Sequence, residues 1–290
     1  MKYEGELMKR ITVTIQAIAL MALLSIEVLL PTAALAQFEH SHTAWNALLK
    51  KHVVPIQDGK ASQVRYADFA RDRAALKSYL ATLTKVSDAE FKGWTKPQQM
   101  AFLINAYNAF TVEKILTKYP DLKSIRDFGS VFGNPWKDKF FTLLGRESYL
   151  DQIEHEILRA KGAYNEPRVH YAVNCASIGC PMLREEAFVA ERLDAQLEEQ
   201  ARRFLSDRSR NRYNDKTGQL EVSKIFDWFK EDWQSDYRGI GSSEPVKSRG
   251  QYFARYAKLL ADGPDAQAKI AEQKAAITFL EYDWSLNVAR

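Results

Sequence analysis

Between Met100 and Val112 the chain has almost no polar side: Phe102, Leu103, Ile104, Ala106, Tyr107, Ala109 and Phe110 would be spread all round a helix. A helix without a solvated face has to be enclosed, so the other elements must wrap it. The start is marked by Thr95-Lys96-Pro97-Gln98, which supplies a cap, a proline in the first turn and the second half of a capping box. Pro120 stops the helix at about Tyr119. Asn105 and Asn108 are the exceptions within it, and three residues apart they share a face. A buried carboxamide left unpartnered costs about 1–3 kcal/mol. Each therefore either hydrogen-bonds the backbone of a neighbouring loop or acts directly in a site.

Around this helix the apolar spacing predicts mostly further helices. Trp45, Leu48, Leu49 and Val53 form one, ending at the polar break Asp58-Gly59-Lys60. Phe69, Leu76, Leu80 and Leu83 form a second, with Arg71, Arg73, Lys77 and Lys85 on its solvated face. Residues 121–149 read as a long aromatic loop with a short hairpin at Phe140–Tyr149. Leu150 to Arg159 is helical, with Asp151 and Glu154 at capping-box spacing and Gly162 as the stop. Glu154 falls inside the apolar stripe of Leu150, Ile153, Ile157 and Leu158, where a carboxylate needs a partner. An ion pair with Arg168 is the structural expectation, and a catalytic role is the alternative. His155 lies at the edge of the stripe, on the side of Asp151 and Arg159.

Further along, Leu193 to Leu205 is amphipathic, and Tyr213 to Val222 reads as a hairpin turning at Asn214–Gly218. Ile225, Trp228 and Phe229 resume helix, Gly239–Glu244 is a loop, and Tyr252–Leu260 and Ile270–Ile277 are helical. The aromatic segment Phe279–Asn287 packs extended on the body. The fold class is α+β: a single mainly helical domain over residues 37–290 with a small sheet or hairpin.

At the N-terminus, Lys9-Arg10 precedes an apolar run from Ile11 to Leu30, and Ala34-Leu35-Ala36 offers small residues for cleavage. Residues 1–36 read as a secretory signal peptide, with Met1 or Met8 as the start. Glu27 would cost roughly 3 kcal/mol at the centre of a spanning helix, which favours removal over a retained anchor. The expected location is periplasmic or secreted, with no stable membrane span. Removing this segment takes equal numbers of acidic and basic side chains, so the net charge stays at +4. Basicity this mild, spread along the chain without a motif, is no nucleic-acid footprint.

Both cysteines of the chain lie in His170–Arg184. Arg168–Cys175 alternates as a strand would, placing Val169, Tyr171 and Val173 in the core and His170 and Asn174 opposite. Cys175 then faces away from His170, which weakens a direct dyad. Three readings stay open. Cys175 and Cys180 form a disulfide across Ala176-Ser177-Ile178-Gly179, in keeping with export. Alternatively one cysteine is a nucleophile, served by His155 or by a His170 brought round by the turn, with Glu154, Asn105 or Asn108 orienting the imidazole. In that case Cys180, before Pro181, could open a short helical turn that lowers its pKa. The third reading has Cys175, Cys180, His155 and His170 binding zinc, although the cysteine gap suits a compact knuckle poorly. The functional expectation is a thiol-dependent hydrolase or transferase acting on a small molecule or peptide, with no cofactor. The alternative is a non-catalytic binding or interaction module with a structural disulfide and an aromatic groove from residues 128–141 and the terminal segment.

Asn105-Ala106-Tyr107-Asn108, Leu150–Arg159, His170–Pro181 and Tyr282-Asp283-Trp284-Ser285-Leu286-Asn287 together resemble the family called domain of unknown function 547, over about residues 96–287. The resemblance implies no established activity and assigns no catalytic residue.

Overall fold

The computed structural model describes residues 37–129, 133–234 and 245–289; the segment read as a signal peptide and the Gly239–Glu244 loop lie outside them. Helix α1 (Thr43–His52) leads into the hairpin β1 (Val53–Ile56) and β2 (Ala61–Val64), with Val53 opposite Val64 and Ile56 opposite Ala61. The polar break read at Asp58-Gly59-Lys60 is therefore a hairpin turn, in which Gln57, Asp58 and Gly59 all take positive φ. The second helix is divided into α2 (Tyr66–Arg71) and α3 (Arg73–Thr84), followed by the short α4 (Asp88–Lys92).

The central helix is α5 (Lys96–Leu116). Its capping box forms as the spacing predicts: Thr95 Oγ1 accepts the Gln98 N–H, and Gln98 Oε1 accepts the Thr95 N–H at 3.0 Å. Every residue from Met100 to Val112 is buried, so the helix is enclosed on all sides. Arg73 clamps it to α3 through Glu113, with Nη2 to Oε1 at 2.7 Å.

The hairpin expected at Phe140–Tyr149 is β3 (Phe141–Leu143) and β4 (Arg146–Ser148), turning at Leu144-Gly145, both with positive φ. Phe141 stacks on Phe110 of α5 at 3.9 Å between ring centroids. Gln152–Leu158 follows as a π-helix, shown by the Arg159 N–H reaching back five residues to the Glu154 carbonyl at 3.0 Å.

Helix α6 (Leu193–Leu205) leads to β5 (Arg212–Asn214) and β6 (Gln219–Val222). After α7 (Ile225–Trp228) and a 3₁₀ turn at Lys230–Trp233 come α8 (Arg249–Arg255), α9 (Ala257–Leu260) and α10 (Pro264–Ala271). The helix expected over Ile270–Ile277 stops at Ala271, and Ala276–Phe279 becomes β7, parallel to β6, which completes a three-stranded sheet. The observed class is α+β, mainly helical with small sheets.

Two hydrophobic clusters share the body. One surrounds α5; the other gathers Phe204, Phe226, Trp233, Tyr252 and Phe253. The segment before the cysteines lies on their seam, with Val169, Ala172 and Val173 in the first and Tyr171 in the second. It is not the strand that its alternation suggests. Pro167–Tyr171 is a 3₁₀ helix, and the Ala172 N–H meets the Val169 carbonyl at 2.9 Å. Polar and apolar side chains from Arg168 to Asn174 are all buried, so the alternation does not sort solvent from core.

The terminal segment is extended, as expected, and forms a strap over the cysteine turn. The Ile178 N–H donates to the Ser285 carbonyl and the Gly179 N–H to that of Asp283, both at 2.8 Å, while the Asn287 N–H donates to Ala176 at 3.1 Å. Gly179 is required here by proximity, because a Cβ would stand 2.9 Å from the Asp283 nitrogen.

Candidate functional site

Cys175 is half-buried and Cys180 is 6% exposed beneath it. Both are free thiols, so the disulfide expected across the turn is not formed. Instead Cys180 Sγ accepts the Cys175 N–H at 3.1 Å, which tucks the buried sulfur under its neighbour's backbone. Asn174 holds the turn from within: its Oδ1 accepts the Ala176 N–H at 2.9 Å and its Nδ2 donates to the Pro181 carbonyl at 2.8 Å.

Three donors converge on the Cys175 sulfur. Ser177 Oγ and the Tyr282 hydroxyl each lie 3.2 Å from it, and the two hydroxyls are 3.0 Å from each other. The Cys180 thiol, which also has the Val173 carbonyl within 3.8 Å, is the third. The hydrogen bond from Cys180 is the main cause that holds the Cys175 thiol below its ordinary range; burial opposes it, and Ser177 and Tyr282 reinforce it. A thiolate accepts both hydroxyl protons at once, whereas a thiol would have to share them, so the arrangement favours the anion. Burial pushes the Cys180 thiol well up, with the neighbouring Cys175 adding to the effect. Of the two cysteines it is thus Cys175, not Cys180 at a helical turn, that is activated. Tyr282 is likewise pushed well up by burial and by both cysteines, and stays a donor.

The histidine rings are held by other partners. His170 Nε2 lies 2.7 Å from Asp232 Oδ2, and its Nδ1 lies 3.6 Å from Glu154 Oε1. A carboxylate only accepts, so Nε2 is the donor to Asp232. The ring also stacks on Phe229 at 4.1 Å between centroids. His155 Nδ1 lies 2.7 Å from Arg159 Nη1. Because a guanidinium only donates, Nδ1 accepts and the ring proton sits on Nε2, directed at Asp151 Oδ1 at 3.7 Å. Neither imidazole hydrogen-bonds Cys175.

Glu154 finds its partner in His170, not in Arg168. Arg168 is taken by Glu166 and Asp194, each at 2.7 Å. Burial would raise the Glu154 carboxyl, but the His170 hydrogen bond and the positive charge nearby, that of Arg159 included, hold it below the usual range. Asp232 is treated the same way: burial raises it, and bonds from His170 and Arg159 take it down to about 2. Asp151 goes the other way, raised chiefly by burial.

Cys175, Cys180, Glu154, His155, His170 and Asp151 all line one cleft of about 210 Å³. Its walls are aromatic. Trp136 meets Trp284 edge to face at 5.8 Å, Tyr282 packs on Trp284 at 4.6 Å, and Trp228 stands beside both. An aromatic groove from the 128–141 loop and the terminal segment is thus present.

Asn105 and Asn108 lie outside the cleft lining and take the backbone role. Asn105 Nδ2 donates to the Phe188 carbonyl at 2.7 Å, and its Oδ1 accepts the Phe188 N–H at 3.1 Å. Asn108 Nδ2 donates to the Ala172 carbonyl and its Oδ1 accepts the Asn174 N–H, both at 2.8 Å. Asn108 therefore positions the cysteine turn from the central helix. Cys175, Cys180, His155 and His170 do not form the expected zinc set: among the described residues no group of three or more His, Cys, Asp or Glu is placed to hold a metal. Three residues of the site went unread in the sequence: Ser177, Asp232 and Tyr282. Ser177 lay inside the cysteine loop and Tyr282 inside the aromatic terminal motif, whereas Asp232 carried no local signal.

Fold and site together define a mainly helical α+β protein with two neighbouring free thiols in an aromatic cleft. Residues 91–205 match the family model described as protein of unknown function, DUF547. The match covers both cysteines and ends before Asp232 and Tyr282. Comparison with curated proteins and with solved structures returns no match. No helix among the described residues is long and apolar enough to cross a membrane.

Proposed function

We propose that this protein is a thiol-dependent hydrolase or transferase whose nucleophile is Cys175. The observation that carries the reading is the convergence of Ser177, Tyr282 and Cys180 on the more exposed of the two sulfurs that line the cleft. The thiolate is made by hydrogen bonds rather than by a histidine base, which departs from the cysteine–histidine pairing the sequence suggests. It attacks an acyl carbon bound between the aromatic walls; the carbon–sulfur bond forms and the leaving group departs. The departing group takes up a proton from solvent, and water or an acceptor then takes the acyl group from the sulfur, which restores the Cys175 thiolate. Glu154 stays ionised and orients His170 with Asp232. Export is part of the proposal and rests on residues 1–36.

Incubation with p-nitrophenyl acetate tests it. Acetyl transfer should appear on Cys175 by peptide mass spectrometry, together with a nitrophenolate burst, and both should vanish in Cys175→Ser and after iodoacetamide. An ester and a thioester that both leave Cys175 unmodified would sink the reading. The aromatic walls favour a second reading, non-catalytic capture of a small apolar molecule or peptide. There, quenching of cleft tryptophan fluorescence by a ligand would survive Cys175→Ser, and no acyl-enzyme would form.

A further inference from the structure

The hydrolytic reading uses Cys180 only as a hydrogen-bond donor, yet its placement is more specific than that role needs. The two sulfurs differ in access: Cys175 lines the cleft from a half-buried position, while Cys180 is 6% exposed. Cys180 Sγ lies 3.1 Å from the Cys175 nitrogen and its thiol hydrogen-bonds that of Cys175. The Asn174 carboxamide ties the residue after Cys175 to the residue after Cys180, through Ala176 N–H at 2.9 Å and the Pro181 carbonyl at 2.8 Å. Within the loop the Cys180 N–H meets the Ser177 carbonyl at 3.2 Å, and Ala176 holds φ at 60°. The outer side is closed by the strap. A loop fastened at both ends keeps an accessible thiol and a buried one apposed without joining them.

We propose that Cys175 and Cys180 act as an attacking and a resolving thiol, giving the cleft a thiol–disulfide exchange activity toward small or peptide disulfides. The inference rests on the reading of Cys175 as nucleophile. The Cys175 thiolate attacks one sulfur of a disulfide R–S–S–R′; a new S–S bond forms, the old one breaks, and R′–S⁻ leaves and takes up a proton. Consumption of the Cys175 thiolate removes the charge that opposes ionisation of Cys180. Cys180 gives up its proton and attacks the Cys175 sulfur, expelling R–S⁻. Two electrons pass to the substrate, which leaves as two thiols, and the protein is left with a Cys175–Cys180 disulfide. An external thiol restores the dithiol by the reverse steps.

The test uses the intact protein and 5,5′-dithiobis(2-nitrobenzoate). The expected result is release of two thionitrobenzoate equivalents per chain and a product lighter than the reduced protein by two hydrogens, with no aryl adduct retained. Cys180→Ser should release one equivalent and hold the aryl group on Cys175 as a stable mixed disulfide. Release of one equivalent by the wild-type protein with the adduct surviving would overturn the proposal, as would two retained adducts. The wild-type stoichiometry decides the matter even where the variant folds poorly. If nitrophenyl acetate acylates Cys175 while the aryl disulfide stalls there, only this inference fails. If neither reagent modifies Cys175, the nucleophile reading fails with it.

Discussion

At Cys175 the thiolate is favoured by counted donors, so its reactivity should fall as donors are removed. Iodoacetamide should label Cys175 and spare Cys180 in the folded protein, with a rate-against-pH midpoint below the ordinary thiol value of about 8.5. Tyr282→Phe removes a donor at 3.2 Å. A net hydrogen bond of about 1 kcal/mol corresponds to roughly a fivefold slower alkylation at neutral pH and a midpoint moved upward. Superimposable profiles would show that Tyr282 does not stabilise the anion. Asp232 makes a prediction of a different kind, about stability. Its folded pKa is lowered from 3.8 to about 2, so its contribution is fully present above pH 3.8 and is lost as pH falls through about 2. Asp232→Asn should therefore be less stable at neutral pH, because His170 and Arg159 lose their shared acceptor, and its stability should vary less between about pH 4 and 2 than that of the wild type. Urea titrations across that window would show it, and parallel acid limbs in the two proteins would refute it.

Among the elements, the strap and the central helix hold the cysteine turn from opposite sides. Gly179→Ala places a carbon 2.9 Å from the Asp283 backbone nitrogen and 3.0 Å from the Tyr282 ring. The strap has to shift, and because Tyr282 rides on it, alkylation of Cys175 should slow by more than the loss of stability explains; a change in stability alone would count against the coupling. From the other side, Asn108→Ala abandons the Ala172 carbonyl and the Asn174 N–H, and should destabilise the fold by about 2 kcal/mol or more in denaturant titration. These elements also show what the sequence discloses. The capping box at Thr95, the enclosed α5 and the two expected hairpins were legible because each depends on residues within a few positions of one another. Buried Glu154 could be recognised from helical periodicity, but not its partner, since His170 lies beyond a break in that periodicity. The Arg168–Asn174 stretch misled because alternation implies two unlike faces, and here both are buried, with polar groups met by Glu166, Asp194, Asp232 and Pro181 from elsewhere. Tyr282 was visible as part of an aromatic terminal motif; its hydroxyl's target, 107 residues earlier, was not.

On the scale of the molecule, the cleft lies where two hydrophobic clusters meet, and α6 ties them together. Leu193 and Leu197 belong to the first, Ala201, Phe204 and Leu205 to the second. One helix cannot keep half its length packed while the other half is released without losing the backbone bonds between them, so the two clusters should unfold together. Tryptophan fluorescence, reporting Trp45 in one and Trp233 in the other, should follow the same denaturant transition as far-ultraviolet circular dichroism; two separated midpoints would show independent cores. The strap carries a further consequence, one that concerns the order in which the chain is made. Both cysteines leave the ribosome long before Tyr282, and until the strap arrives Cys175 lacks a hydroxyl that favours its anion and the cover over its turn. A nascent or truncated chain therefore lacks the Tyr282 donor, and on the proposed reading of Cys175 the full reactivity of the site arises only once the chain has been extended through the strap.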